Sequence, residues 1–117
     1  MPFARKRFGQ HFLVDRGAIA AIIAAIAPQR TDHLVEIGPG RGALTGDLAA
    51  RLDRLEGIEI DRDLAQALRT RHAGSNVVVH QADVLAFDFG ALPAPLRVVG
   101  NLPYNISTPI LFRLVGI

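Results

Sequence analysis

Residues 36–42 read Glu-Ile-Gly-Pro-Gly-Arg-Gly, and this turn constrains the fold more than any other stretch. It follows a short apolar run, residues 34–37, and precedes a leucine-rich run with Leu44, Leu48 and Leu52 four apart. That order is strand, glycine turn, helix. Glycine permits positive φ and lets a ligand approach the backbone. The helix start adds free N–H groups and the positive end of a dipole. Gly38, Gly40 and Ala43 satisfy a dinucleotide-type G-x-G-x-x-A spacing, and Glu59 lies 19 positions after Gly40, where an acid can accept from ribose hydroxyls. A tight turn without a ligand explains the glycines but not the placed acid.

The pattern around this turn repeats. Asp15 can cap a helix over residues 16–27 that stops at Pro28, with Ile19, Ile22, Ile23 and Ile26 on one stripe. Residues 55–60 read as a second strand, and Asp61 caps a helix with Leu64 and Leu68 inward. Residues 76–80 (NVVVH) and 96–100 (LRVVG) read as third and fourth strands. Residues 81–95, with Phe87, Phe89, Pro93 and Pro95, read as a loop holding a short helical turn. Ser107 or Thr108 can cap a last helix with Pro109 in its first turn. Strands alternating with helices predict an α/β fold with a parallel sheet and right-handed crossovers. Ligands of such sheets bind beyond the carboxyl ends of the strands, so chemistry is expected just after Glu36, Ile60, Gln81 and Asn101.

Composition narrows the class. With 117 residues, half of them apolar, the chain suits one core and one domain. It has no cysteine, which excludes disulfides and thiolate chemistry, and no metal site is expected. The longest apolar run, residues 18–27, is too short to span a membrane, so a cytoplasmic location is expected. Net charge is +2 but uneven. Residues 1–30 carry five basic groups, Arg5, Lys6 and Arg7 among them, against one acid, while the remainder carries eight against ten. A basic arm suits phosphate backbones, although a solvated terminus explains it as simply.

Two further elements carry chemistry. NAD and S-adenosylmethionine both offer a ribose diol to Glu59. Glu36, placed before the first glycine, would repel a pyrophosphate and accept a cationic methionyl group, which tilts the choice toward the sulfonium cofactor. Asp83 after the third strand can accept from an adenine amino group, with Val84 offering its N–H to a ring nitrogen; a turn-forming aspartate accounts for it equally well. Residues 101–104 read Asn-Leu-Pro-Tyr. The Asn101 side-chain oxygen and the Leu102 carbonyl would accept from an exocyclic amine, freeing its lone pair and stabilising the positive charge that grows on nitrogen during methylation. Pro103 fixes the chain, and Tyr104 can stack on the target base.

Together these motifs resemble the ribosomal RNA small-subunit adenine N6,N6-dimethyltransferases of the KsgA type. The matching segments are residues 8–13 (FGQHFL), 36–45 (EIGPGRGALT), 58–64 (IEIDRDL), 83–89 (DVLAFDF) and 96–112 (LRVVGNLPYNISTPILF). The resemblance implies a Rossmann-like S-adenosylmethionine-dependent methyltransferase fold with sheet order 3-2-1-4. It implies that His11 and Leu13 contact the methionyl end of the cofactor, that Gly38 contacts the cofactor, Glu59 its ribose and Asp83 its adenine, with Asn101 serving cofactor and target amine. Family members often carry asparagine at position 11. The implied substrate is adenosine in small-subunit rRNA, on an immature 30S-type particle.

The family's catalytic domain continues for three more strands, followed by a helical domain. The expected organisation is therefore a basic arm with a cofactor motif, residues 1–15, then the N-terminal half of the methyltransferase domain, residues 16–117, with doubtful activity of its own. The competing expectation is a non-catalytic cofactor- or RNA-binding half-domain that self-associates through an open sheet edge at the fourth strand. A small NAD-binding domain is a third, resting on the glycine count alone.

Overall fold

A computed structural model describes the backbone of residues 15–101 and 110–115 and the side chains of residues 15–100. Helix α1 spans Arg16–Ile26. Asp15 caps it, its carboxylate accepting from the Gly17 and Ala18 N–H groups at 2.8 and 3.2 Å. Ile19, Ile23 and Ile26 are buried on one stripe. The helix ends one residue earlier than its pattern suggests, because Ala27 turns left-handed at φ 49° ahead of Pro28. Strand β1 (His33–Ile37), helix α2 (Thr45–Ala49), strand β2 (Leu55–Glu59), helix α3 (Arg62–Arg71) and strand β3 (Val77–Gln81) follow. Two 3-10 turns, Val84–Ala86 and Phe89–Ala91, occupy the loop to β4 (Leu96–Asn101).

Strands β1 to β4 pair in parallel, as the alternation of elements predicts, and in the order β3-β2-β1-β4, as the family resemblance implies. One face of the sheet buries Leu34, Leu55 and Val99 under α1 and α2, with Leu44, Leu48 and Leu52. The other buries Val35, Ile58 and Leu96 under Phe87, Phe89 and Leu92. The alternation of Leu34 and Val35 between the two cores is the period-two signature of a strand covered on both sides. Glu56, buried on β2, accepts from Arg54 and lies 2.7 Å from His80 Nε2, so its charge is partnered. Among the described residues no helix is long and apolar enough to cross a membrane.

Three expectations are corrected. The helix expected over residues 43–52 shrinks to Thr45–Ala49. Its lost carbonyl partners are replaced by side chains: Asn76 Nδ2 donates to Ala49 O and Leu52 O, and Arg30 donates to Ala50 O and Leu52 O. The last helix does not form over the described residues 110–115. Ile110–Val115 is instead a fifth strand, β5, antiparallel to β4 from Asn101↔Ile110 to Leu96↔Val115. A short, almost wholly apolar run is ambiguous between helix and strand by periodicity, and here it satisfies the outer backbone groups of β4. The β4 edge expected to be open is therefore covered. The capping roles of Ser107 and Thr108 and the place of Pro109 lie outside the described residues.

Arg97 ties β4 to the exit of α1. Its guanidinium donates to Ile26 O, to Ala27 O and to Asp32 Oδ2, the last at 2.7 Å. Burial would raise the Asp32 carboxyl, but the Gln29 N–H and Arg97 hold it below its ordinary value. Its contribution is thus present above the ordinary carboxylate range and lost as pH falls through the lowered value. Arg97→Met is expected to cost about 2–3 kcal/mol at pH 7 by leaving two helix-end carbonyls without this donor and this carboxylate with the Gln29 N–H alone. Urea denaturation reads that loss, and an unchanged midpoint would contradict it.

Candidate cofactor and active site

The carboxyl ends of the parallel strands bring Glu36, Gly38, Gly40, Glu59 and Asp83 to one rim. The Gly38 N–H donates to Ile58 O at 2.8 Å, extending the β1–β2 ladder one step before the chain turns away. Gly38, Gly40 and Gly42 then take φ of 66°, 58° and 83°, values that favour glycine. The Gly42 N–H closes the turn on Pro39 O, and Arg71 of α3 holds the Arg41 carbonyl at 2.8 Å.

Glu59 anchors the same loop. It is buried, and its Oε1 accepts from the Gly40 N–H at 2.8 Å while Oε2 accepts from the Asp61 N–H at 3.0 Å. A carboxylate has about four lone-pair sites, so each oxygen retains capacity for a hydroxyl donor. Glu36 is 1% exposed and its Oε1 accepts from Thr45 Oγ1 at 2.8 Å. Burial pushes its carboxyl up to about 7; the Thr45 hydrogen bond opposes the shift and the Glu59 charge adds to it. Two buried carboxylates beside one glycine turn suit a ligand carrying a diol and a positive charge, and they oppose a pyrophosphate.

Asp83 follows β3 and is exposed. Its Oδ1 accepts from the Leu85 N–H at 2.9 Å, so here it forms a turn, and its carboxylate keeps further acceptor capacity. Val84 begins that turn and packs on the second core. Asn101 ends β4 one residue after Gly100, the register partner of Ile37, which sets its backbone beside the glycine turn. The Asn101 side chain, and Leu102, Pro103, Tyr104, His11, Leu13, Arg5, Lys6 and Arg7, lie outside the described residues.

The sequence reading missed three residues. Thr45, three positions after Gly42, is the partner of Glu36. Ile60, immediately after Glu59, and Leu85, in the 3-10 turn two residues after Asp83, are large apolar side chains left 61% and 91% exposed. Their signal is an apolar residue one or two positions after an acid that follows or ends a strand.

The glycines differ in what they tolerate. A Cβ on Gly42 would stand 2.9 Å from Leu68 Cδ2, on a buried side chain, whereas one on Gly40 meets only Gly38 O at 3.8 Å. Gly42→Ala is expected to cost about 2–3 kcal/mol, from left-handed backbone plus overpacking, and Gly40→Ala about 1 kcal/mol. Equal thermal shifts for the two variants would contradict this.

The comparisons agree with the geometry. A family described as ribosomal RNA adenine dimethylase matches residues 2–116. Ribosomal RNA small subunit methyltransferase A of Dechloromonas aromatica (strain RCB) is 60% identical over 111 residues, 95% of this chain and 44% of that relative. The crystal structure of the 23S rRNA methyltransferase ErmE superposes with TM-score 0.68 at 37% identity, over 80% of this chain and 38% of that one. A dimethyladenosine transferase from Plasmodium falciparum gives TM-score 0.66 at 30% identity, over 81% and 34%. The chain thus spans less than half the length of each of these three. With the family matched over almost its whole length, and with the strand order and glycine turn in place, this chain belongs to the ribosomal RNA adenine dimethylase family.

Proposed function

We propose that this chain is the cofactor-binding part of an enzyme that methylates the N6 amine of adenosines in small-subunit ribosomal RNA, using S-adenosylmethionine. The observation that carries the reading is the pair of buried carboxylates, Glu36 and Glu59, on a glycine turn at the end of β1 and β2. Glu59 accepts from the ribose hydroxyls, and the backbone of Gly38 and Gly40 lets the ligand approach. Glu36 faces the cationic methionyl end, which His11 and Leu13 complete. Asp83 and the Val84 N–H hold the adenine. The cofactor supplies an electrophilic methyl group on a positive sulfur. Asn101 and the Leu102 carbonyl accept from the target amine, Pro103 fixes that turn, and Tyr104 stacks on the base. Arg5, Lys6 and Arg7 neutralise RNA phosphates. The partner is an immature 30S-type particle, which places the reaction in the cytoplasm.

A second reading is favoured by one fact: the chain spans 44% of the Dechloromonas relative. On that reading these residues bind cofactor or RNA without turning over. Mass spectrometry of rRNA from immature small-subunit particles, incubated with the chain and S-adenosylmethionine, separates the two. N6,N6-dimethyladenosine establishes the first. Cofactor binding without modification restricts the chain to the second. Methylation of another group overturns the target assignment.

A further inference from the structure

Glu36 sits where an ionised carboxylate has little to support it. It is 1% exposed at the carboxyl end of β1. Its register partners are Gly57 on β2 and Val99 on β4, neither of which brings charge. From α2 it receives one hydroxyl, Thr45 Oγ1 at 2.8 Å. The titratable group facing it from β2 is Glu59, a second buried carboxylate already committed to the Gly40 and Asp61 N–H groups. The guanidinium that α3 sends toward the turn, that of Arg71, is bonded to the Arg41 carbonyl. Among the described residues no ion pair reaches either carboxylate. A buried carboxylate in such surroundings keeps a proton or takes a cation.

We infer that Glu36 couples cofactor binding to proton release: it is protonated in the ligand-free protein and loses its proton to solvent when a net-cationic cofactor occupies the glycine turn. This rests on the cofactor reading above. The O–H bond of the Glu36 carboxyl breaks, the proton goes to buffer, and the carboxylate left behind faces the positive ligand. S-adenosylmethionine carries an ammonium, a carboxylate and a sulfonium, for a net +1, whereas the product S-adenosylhomocysteine is a neutral zwitterion. The same carboxylate therefore discriminates between them: the product draws out less of the proton, and reprotonation of Glu36 favours its departure.

The upward displacement of the Glu36 carboxyl to about 7 sets the pH window. Below it the apparent affinity for S-adenosylmethionine should weaken by up to about tenfold per pH unit, because binding must first expel the proton.

The test is calorimetric titration of the chain with S-adenosylmethionine at pH 6.5, in two buffers of different ionisation heat. The expected difference corresponds to roughly three-quarters of a proton released per cofactor, falling close to none at pH 8.5. Product should release less. Glu36→Gln should bind with buffer-independent heat. If that variant does not fold, the Glu36 carboxyl carbon resonance of the unsubstituted chain replaces it, titrating near 7 without cofactor and staying ionised at pH 6 with it. Binding with equal heats in both buffers overturns the inference and leaves the cofactor reading intact. Release that persists undiminished in Glu36→Gln overturns it too. No binding at either pH overturns the cofactor reading itself.

Discussion

Glu36→Gln is expected to raise the stability of the ligand-free chain by about 3 kcal/mol at pH 8, and to change it little at pH 4.5. The sign follows from the raised carboxyl. Glu36 titrates near 4.5 when unfolded and near 7 when folded, so the unfolded chain releases the proton first as pH rises. The contribution is fully present below 4.5 and is lost as pH climbs through 7, which sets the order of magnitude of the effect. Glutamine mimics the protonated acid and carries no such loss. Urea denaturation at the two pH values reads the difference, and parallel stability–pH curves for the two proteins would contradict it. The gain comes with a cost in function, because the neutral amide offers nothing to a cationic ligand. That opposition between stability and binding is common where a site stores an unfavourable charge.

Glu59→Ala is expected to do the reverse, lowering both stability and affinity. Its two oxygens accept from the Gly40 and Asp61 N–H groups, so truncation strands two loop donors and costs about 2 kcal/mol. It also removes the proposed acceptor for the ribose hydroxyls, for which a loss of about 100-fold in cofactor affinity is expected, since bonds to a charged acceptor contribute about 1.5–3 kcal/mol. Removing this charge should also let the Glu36 carboxyl fall from its value near 7, because Glu59 contributes to the upward shift. Equilibrium dialysis with labelled cofactor and a pH titration of the variant check both effects. Unchanged affinity would mean that Glu59 only braces the loop.

The local rules were readable where a single side chain carries the signal. Asp15 and Asp61 cap the helices that the sequence assigns to them, and the isoleucine stripe of α1 faces the core. The glycine turn and Glu59 were legible because positive φ and a strand-end acid each leave a mark in residue type. What escaped depends on contacts distant in sequence. The shortened α2 is completed by Asn76 and Arg30, from segments more than twenty residues away. The clamp of Arg97 on the end of α1 joins residues 71 apart. Thr45 gained its meaning only when the turn folded it over Glu36. Residues 110–115 carry no period that distinguishes strand from helix, and it is pairing with β4 that decides.

On the proposed reading, this glycine turn and its two buried carboxylates form a site for a cationic adenosine cofactor. Calorimetric titration of the chain with S-adenosylmethionine and, separately, with NAD tests it most directly. Saturable binding of S-adenosylmethionine with no heat from NAD is the predicted result, because on the proposed reading a cationic methionyl group favours the ionised form of Glu36 and a pyrophosphate disfavours it. Binding of NAD with no binding of S-adenosylmethionine would contradict it.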